Sequence, residues 1–389
     1  MLESLTAEAG RLARGEYPDF VRGREAEPPG TGYLPVFTFH TLEPGEFEAR
    51  LRHLSENGYR TLTLDQALAH VRGEEPAGPR SVVLTIDDGR LSTWTVGEPL
   101  LRRHGMHAAA FVIVGFLEEG PPRPTLASAE PDGGAAAPPT PTEARDRRTV
   151  LRWSEVERLH DSDAVEVQSH TWMHKRVTVG RRLTGFVTPD DPSARYDLPC
   201  PAATETPEDA RRGAWAPGAP IFEHAPVLSV SEALEPPEAL IRRCVDHVRE
   251  GGGERFFDRA GWRRELRRIV EERTGDFRTV DLEPHQRREL EASRSALRRR
   301  LEGTDARHLC LPSGRGSERA ARLAREAGYD SMFWGPLPAD SGNRPGSDPY
   351  RIGRLKHDYV LRLPGAGRRS FLRVMAAKVR RRLRGDTGY

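Results

Sequence analysis

Residues 81–86 read SVVLTI and run straight into two aspartates and a glycine, Asp87, Asp88 and Gly89. Such a run has no polar face, so a strand built from it is buried on both sides, as the strands of a parallel sheet are. Parallel strands need crossovers, and the neighbouring sequence supplies them. A first strand is expected over 34–39, and EFEARLRHLSENGYR then places Phe47, Leu51 and Leu54 at helical spacing and stops at Gly58. Thr63 caps a short helix, with Gln66 completing a capping box. A helix reaching about His104 leads to the apolar run 108–114, and the alternation continues through helix 153–160, strand 164–168, helix 290–301, strand 308–311 and helix 317–327. This order predicts an α/β chain with a parallel sheet or barrel.

The 389 residues suffice for one large α/β domain with insertions. Sixty basic against 58 acidic residues argue against a dedicated nucleic-acid binder, and 37% apolar content argues against a disordered chain. Three cysteines, Cys200, Cys244 and Cys310, form no CxxC pair and no disulfide framework. Residues 1–33 read as an N-terminal extension, 34–363 as the main domain and 364–389 as a basic C-terminal segment. The main domain carries insertions at about 118–149, rich in Pro, Ala and Gly and expected to be a mobile surface segment, and at about 180–289. In the second, Trp215, Ile221, Phe222 and Val227 imply packing, and ALIRRCVDHVRE and GWRRELRRIVEER read as two helices added to the sheet layer. The chain lacks the run of about 18 to 20 apolar residues that a membrane span needs, and acids stand where a signal peptide would be apolar. A cytoplasmic location is therefore expected. Beyond Pro364, Phe371, Leu372, Val374, Met375, Val379 and Leu383 lie among many arginines. That pattern predicts a basic amphipathic helix, packed on its own domain or touching anionic lipid at the inner membrane face.

Asp87 and Asp88 end a buried strand, at the edge where α/β folds assemble their sites, although Asp-Gly is also an ordinary turn signal. Adjacent, partly buried carboxylates do not both stay unperturbed, so one is expected to be held ionised by a cation or a metal. SHTWMH offers partners: His170 and His174 lie four apart at the end of strand 164–168, and one helical turn there sets both imidazoles on one side. An isolated HxxxH pair is more often an ordinary surface or core feature. With an acid pair one strand–helix unit earlier, two histidines and a carboxylate make a divalent-metal set. Ser169 is placed to orient the turn, while His308 and Cys310, on a buried strand, read as structural.

Three segments resemble the polysaccharide deacetylase family, the NodB-homology domain of carbohydrate esterase family 4. TIDDG at 85–89 is similar to the family's T-F-D-D-G motif, SHTWMH to its histidine motif, and LCLPSGRGSERAARLAREAGYD at 309–330 to the strand–turn–helix of its third motif. LPVFTFH and EFEARLRHLSENGYRTLTLDQAL also resemble the start of the branch that contains exported poly-N-acetylglucosamine deacetylases. The likeness covers residues 34–330 apart from the insertions.

The resemblance implies a distorted (β/α)7-type barrel, and removal of N-acetyl groups from an amino sugar of a glycan or glycan precursor. It implies one divalent metal ion, zinc, on Asp88, His170 and His174, with Asp87 as the general base that takes a proton from water and a backbone N–H near Ser313 on the oxyanion. A cytoplasmic enzyme would meet nucleotide-linked or lipid-linked sugars. His40, in TFHTL, matches a family histidine and, with Pro312, Ser313 and Trp172, is expected to contact substrate; the indoles of Trp172 and Trp334 suit a pyranose face. Leu355-Lys356-His357 is the one candidate for the family's Leu-x-His motif, making His357 the expected general acid. The third motif departs from the pattern: Cys310, Pro312 and Ser313 replace an Arg, a Pro and an aromatic residue, and a neutral Cys cannot buttress Asp87. That departure keeps open a catalytically impaired glycan-binding homologue, and relatives on the same barrel keep open a small-amide hydrolase of purine catabolism. A two-His, one-carboxylate iron oxygenase shares the ligand set, but its sandwich fold disagrees with the βα alternation.

Overall fold

The computed structural model describes residues 10–12, 14–23, 32–129, 149–189, 195–272, 276–338 and 342–383. Strands β1 (Val36–Phe39), β2 (Arg60–Thr61), β3 (Ser81–Ile86), β4 (Ala108–Val112) and β5 (Val165–Ser169) realise the expected alternation. The chain then leaves the sheet for β6 (Arg176–Phe186), β7 (Pro220–Pro226), β8 (Glu232–Glu235) and β9 (Arg278–Asp281), and returns with β10 (His308–Cys310), β11 (Ser331–Phe333) and β12 (Leu355–Lys356). The sheet runs β11-β10-β5-β4-β3-β1-β12, with β2 beside β3. Every residue of β3 and β4, at its centre, is buried.

The sheet curls until one segment serves both edges. Ile352 N–H donates to Met332 O at 3.1 Å beside β11, and Leu355 pairs in parallel with Phe37 of β1. Residues 352–356 therefore close a distorted (β/α) barrel.

Helices cover the barrel as the apolar spacing requires. Phe47 of Pro44–Glu56 meets Phe39 edge-on at 5.2 Å. Thr63 and Gln66 form the expected capping box on Leu64–Arg72, a cap of about 1 kcal/mol. Phe20 of the N-terminal extension packs on Phe37 at 6.3 Å.

Three expectations change. The helix expected over 290–301 starts earlier, as Glu283–Arg300, because Gln286 and Glu289 break its apolar pattern although both are buried. Helices Glu238–Glu250 and Trp262–Glu271 form a separate core instead of joining the sheet layer, with Cys244 and Leu266 packed around Phe186 and Phe222 of the antiparallel β6–β7 pair. The described part of the first insertion is anchored, since Arg123 donates to both oxygens of buried Glu155, at 2.8 and 2.6 Å, and Trp94 Nε1 donates to Arg123 O. Its residues 130–148 lie outside the described residues, as do 1–9 and 24–31 of the N-terminal extension, 190–194 and 273–275 of the second insertion, and 384–389 of the C-terminal segment.

The C-terminal helix, Phe371–Leu383, packs on its own domain through Val374 and Lys378, both buried. Lys378 Nζ sits 4.2 Å over the Tyr359 ring, and Phe371 stacks on the same ring. Its outer side carries Leu372 and Val379. Among the described residues no helix is long and apolar enough to cross a membrane. All three cysteines are buried and free.

Candidate functional site

After β3 the backbone turns sharply, with Asp88 at φ 75° and Gly89 at φ 68°. A Cβ at Gly89 would stand 3.2 Å from Val112 of β4, so the turn needs glycine there. It presents both carboxylates to a cavity of about 470 Å³ at the C-terminal ends of the strands, whose lining includes His40, His170, His174 and Arg354.

Each acid has its own arginine. Asp87 Oδ1 accepts from Arg354 Nη1 at 2.7 Å, while Cys310 Sγ lies 3.6 Å from Oδ2. Asp88 Oδ2 accepts from Arg90 Nη2 at 2.5 Å and from Tyr196 OH at 3.3 Å, which leaves Oδ1 facing His170 Nε2 at 3.5 Å. Burial opposes ionisation of Asp87, but Arg354 and the nearby imidazoles outweigh it and hold the group below its ordinary range. The same contest, won by Arg90 and His170, holds Asp88 well below. The sequence led us to expect a cation for one of the two acids; the fold gives one to each.

The histidines converge, but not through a helical turn. Residues 170–174 are non-helical, with Thr171 at φ 68° and His174 at φ 52°, and the bend brings the two rings to 5.0 Å. Ser169 does orient it: Thr171 N–H donates to Ser169 Oγ at 3.2 Å. His170 Nδ1 lies 2.9 Å from Cys310 O and His174 Nδ1 lies 3.4 Å from Tyr196 O. Only a protonated Nδ1 can bond a carbonyl, so Nε2 is the atom that each ring has left to offer a ligand.

Asp88, His170 and His174 offer ligand atoms all within 4.8 Å of one another. With a carbonyl fixing the tautomer of each imidazole, this arrangement fits a divalent ion of the zinc kind. Asp87, His170 and Cys310 are also within that distance. Burial pushes the Cys310 thiol up, so it keeps its proton and serves Asp87 as a weak donor rather than a metal as a thiolate.

Of the expected substrate contacts, His40 and Ser313 line the cavity. His40 Nε2 is 3.9 Å from Asp87 Oδ2, and Ser313 Oγ accepts from Arg176 Nη1 at 2.8 Å. Pro312 is buried outside the lining. Trp172 is also outside it: its Nε1 donates to Glu205 O at 2.8 Å and its ring lies against Gly115. Trp334 donates to Tyr350 O under the Arg351 guanidinium, again outside the lining. His308 is structural as expected, held between Ser331 Oγ and Asp65.

His357 is the main correction. Its ring stacks on Phe39 outside the lining, and its Nε2 is 3.2 Å from Arg381 Nη1. An Nε2 that accepts from a guanidinium carries no proton to give, and burial pushes the imidazole down to about 3. The expected general acid is thus engaged elsewhere.

Sequence reasoning missed Arg354, Arg90, Tyr196 and Glu289. Arg90 directly follows the DDG and could have been noticed as a cation beside two acids. Arg354 lies near His357 in the chain and reaches Asp87 only because the barrel closes there. Tyr196, in the proline-rich insertion, had no signal.

Residues 74–195 match the family model described as polysaccharide deacetylase. YxkH of Bacillus subtilis (strain 168) is 32% identical over 88 residues, 21% of this chain and 32% of YxkH. The poly-beta-1,6-N-acetyl-D-glucosamine N-deacetylase of Escherichia coli (strain K12) is 26% identical over 151 residues, 39% of this chain and 20% of that protein. The chain therefore spans about a third of the first curated relative and a fifth of the second. Among solved structures, the BpsB deacetylase domain from Bordetella bronchiseptica shares the fold, with a TM-score of 0.50 at 16% identity over 84% of this chain and 97% of that one. The matched segment carries the DDG turn and both cavity histidines, so the likeness to polysaccharide deacetylases covers the candidate site.

Proposed function

We propose that this chain is a metal-dependent hydrolase that removes N-acetyl groups from an amino sugar of a glycan or glycan precursor. One observation carries the reading: a single cavity holds an arginine-tethered carboxylate, Asp87, beside a separate set of two imidazoles and one carboxylate. The activity named for the Escherichia coli relative supports an N-acetylated sugar. A cavity of about 470 Å³, toward the small end of the roughly 300–1,000 Å³ typical of ligand pockets, suits a sugar unit with its acetamido group.

Asp88 Oδ1 and the Nε2 atoms of His170 and His174 would hold one divalent ion, zinc by the donor set. When bound, that ion supplies Lewis acidity at the amide carbonyl and acidifies water toward a pKa of about 7. The chain's own residues do the rest. Asp87, ionised, takes a proton from the attacking water as the water oxygen bonds to the carbonyl carbon. His40, neutral because burial pushes it down to about 4, stands beside Asp87 to relay that proton to the departing nitrogen. The C–N bond then breaks to give acetate and a free amine. Arg354 keeps Asp87 aimed and exchanges no proton. It supplies Asp87 with the charged partner that the neutral Cys310 cannot, which supports an active enzyme.

The test combines elemental analysis with acetate release from N-acetylglucosamine oligomers and lipid-linked precursors. Wild type is expected to hold about one divalent ion per chain, as a three-ligand site of this kind does. His170→Ala is expected to lose the ion, and Asp87→Asn to keep it while acetate release stops. Metal binding without acetate release from any acetylated sugar would overturn the substrate assignment; absence of metal would overturn the site.

A further inference from the structure

The helix Glu283–Arg300 lies behind the ligand loop with a polar stripe where a buried helix is normally apolar. Gln286, Glu289 and Ser293, spaced to share one face, are all essentially excluded from solvent. Buried polar groups are retained at a cost unless each finds a partner, and each of the three side chains makes at least one hydrogen bond, although Gln286 Oε1 accepts none. Gln286 Nε2 donates to the carbonyls of Val227 and Val230, within the second insertion. Ser293 Oγ is 2.6 Å from Ser169 Oγ, the atom that accepts Thr171 N–H. Glu289 does the most. Its backbone carbonyl accepts Trp172 N–H at 3.2 Å and its carboxylate Oε2 accepts Met173 N–H at 2.9 Å.

Every amide from 170 to 174 has an acceptor. His170 N–H goes to Val112 O, Thr171 N–H to Ser169 Oγ and His174 N–H to Thr171 Oγ1. The remaining two, in the middle of the loop, both go to Glu289. The loop holds two non-glycine residues at positive φ, and such backbone persists only where its surroundings over-determine it. The Glu289 carboxylate is itself fixed: Oε1 lies 3.4 Å from Lys175 Nζ, the residue directly after His174, and Lys175 also donates to the carbonyls of Ala202 and Thr204. Glu289 and Lys175 thus clasp the loop from both sides of its apex.

We propose that Glu289 is a positioning residue for the metal site, holding the 170–174 bend so that His170 and His174 present their Nε2 atoms together. The proposal rests on the metal reading given above. It concerns a side chain that touches neither the ion nor the substrate, so its signature is metal affinity and ligand geometry, apart from overall stability.

The experiment measures zinc affinity by competition with a chromophoric chelator, and the visible absorption of the cobalt(II)-loaded protein, for wild type, Glu289→Ala, Glu289→Gln and Gln286→Ala. Gln286 is the matched control, a buried polar residue of the same helix face whose hydrogen bonds go to Val227 and Val230 instead of the loop. Glu289→Ala is expected to weaken zinc binding by about 10- to 100-fold and to alter the cobalt bands. Glu289→Gln, which keeps an acceptor for Met173 N–H and is the safer variant to fold, is expected to recover most of that affinity. Gln286→Ala is expected to lower thermal stability with zinc affinity unchanged. Wild-type affinity in Glu289→Ala, or an equal loss in Gln286→Ala, would overturn the positioning role while leaving the metal site standing. A wild type that binds no zinc would overturn both.

Discussion

Asp87 sits between donors of unequal strength: a guanidinium at 2.7 Å and a thiol at 3.6 Å. The thiol adds little, so the ionised state of the base depends on Arg354. A base works only when deprotonated, and activity falls as pH drops through its pKa. Removing the Arg354 charge takes away the largest influence that opposes burial and raises that pKa. Arg354→Met is therefore expected to move the acidic limb of the kcat/KM profile to higher pH, and Arg354→Lys to restore most of it. A carboxylate left unpaired also costs stability, about 3–5 kcal/mol for a buried pair broken on one side, so unfolding is read alongside. An unmoved acidic limb in Arg354→Met would refute the tether. The third motif could not reveal this residue, because a motif records neighbours along the chain. Arg354 comes from the closing segment that pairs with β1, and only closure brings it beneath the DDG turn. Asp87, Asp88 and His170 were legible because each lies within a residue or two of a recognisable strand end, and His174 because it stands four residues after His170.

At the level of elements, strands buried on both faces announced themselves as apolar runs, and β3 was found at its expected bounds. The misread pieces share one cause, polar residues doing interior work. The ligand loop was taken for a helical turn because periodicity cannot register two left-handed residues. The Glu283–Arg300 helix was shortened because Gln286 and Glu289 look solvent-facing. The turn after β10 falls where the strand–turn–helix reading of residues 309–330 put it, and it carries a contact that the sequence does not show. Ser313 and Gly314, at φ 54° and 62°, press against the loop after β11, where Gly335 N–H donates to Gly314 O at 2.9 Å. A Cβ on Gly314 would come 2.5 Å from the Gly335 backbone, so the two loops touch only because residue 314 is glycine. Ser313, Gly314 and Gly335 all line the cavity. Gly314→Ala is expected to spread this wall and lower kcat/KM on the order of 10- to 100-fold, the scale of a displacement of about 1 Å, mainly through KM. Zinc content should stay at the wild-type level because no ligand lies on either loop. Kinetics and elemental analysis on the same preparation decide it: unchanged KM, or lost metal, goes against the account.

Across the whole molecule, the basic C-terminal helix packs on its own domain, one of the two readings its sequence allowed, and it does so partly through its charges. Asp358, next to the barrel closure, is buried, and the helix brings Lys378 Nζ to 3.5 Å and the Arg381 guanidinium into hydrogen-bond contact, with Arg50 at 3.8 Å from another helix. Burial opposes the charge on Asp358, but His357, charged at the acidic pH where the carboxyl titrates, and these cations outweigh it and hold the carboxyl below its usual range. His357 belongs to the same junction and must be neutral, because its Nε2 accepts from Arg381 and burial pushes it down to about 3. The sign of the pH dependence follows. Between about pH 6.5, where an unfolded histidine titrates, and about pH 3, the unfolded chain binds a proton that folded His357 refuses. Stability therefore rises with pH through that window and is lost as pH falls below 6.5. One such proton amounts to at most about 1.4 kcal/mol per pH unit, or about 2 kcal/mol between pH 6.5 and 5. His40, His174 and His224 are also pushed down, to about 4, 3 and 4, and add to this loss, while His170 and His107 are raised and offset part of it. His357→Gln keeps an acceptor for Arg381 and does not titrate. In denaturant unfolding at pH 7 and pH 5, the variant is expected to lose less stability than wild type by up to one proton's share, and an identical loss in the two proteins would show that His357 takes no part in anchoring the helix through its neutral form.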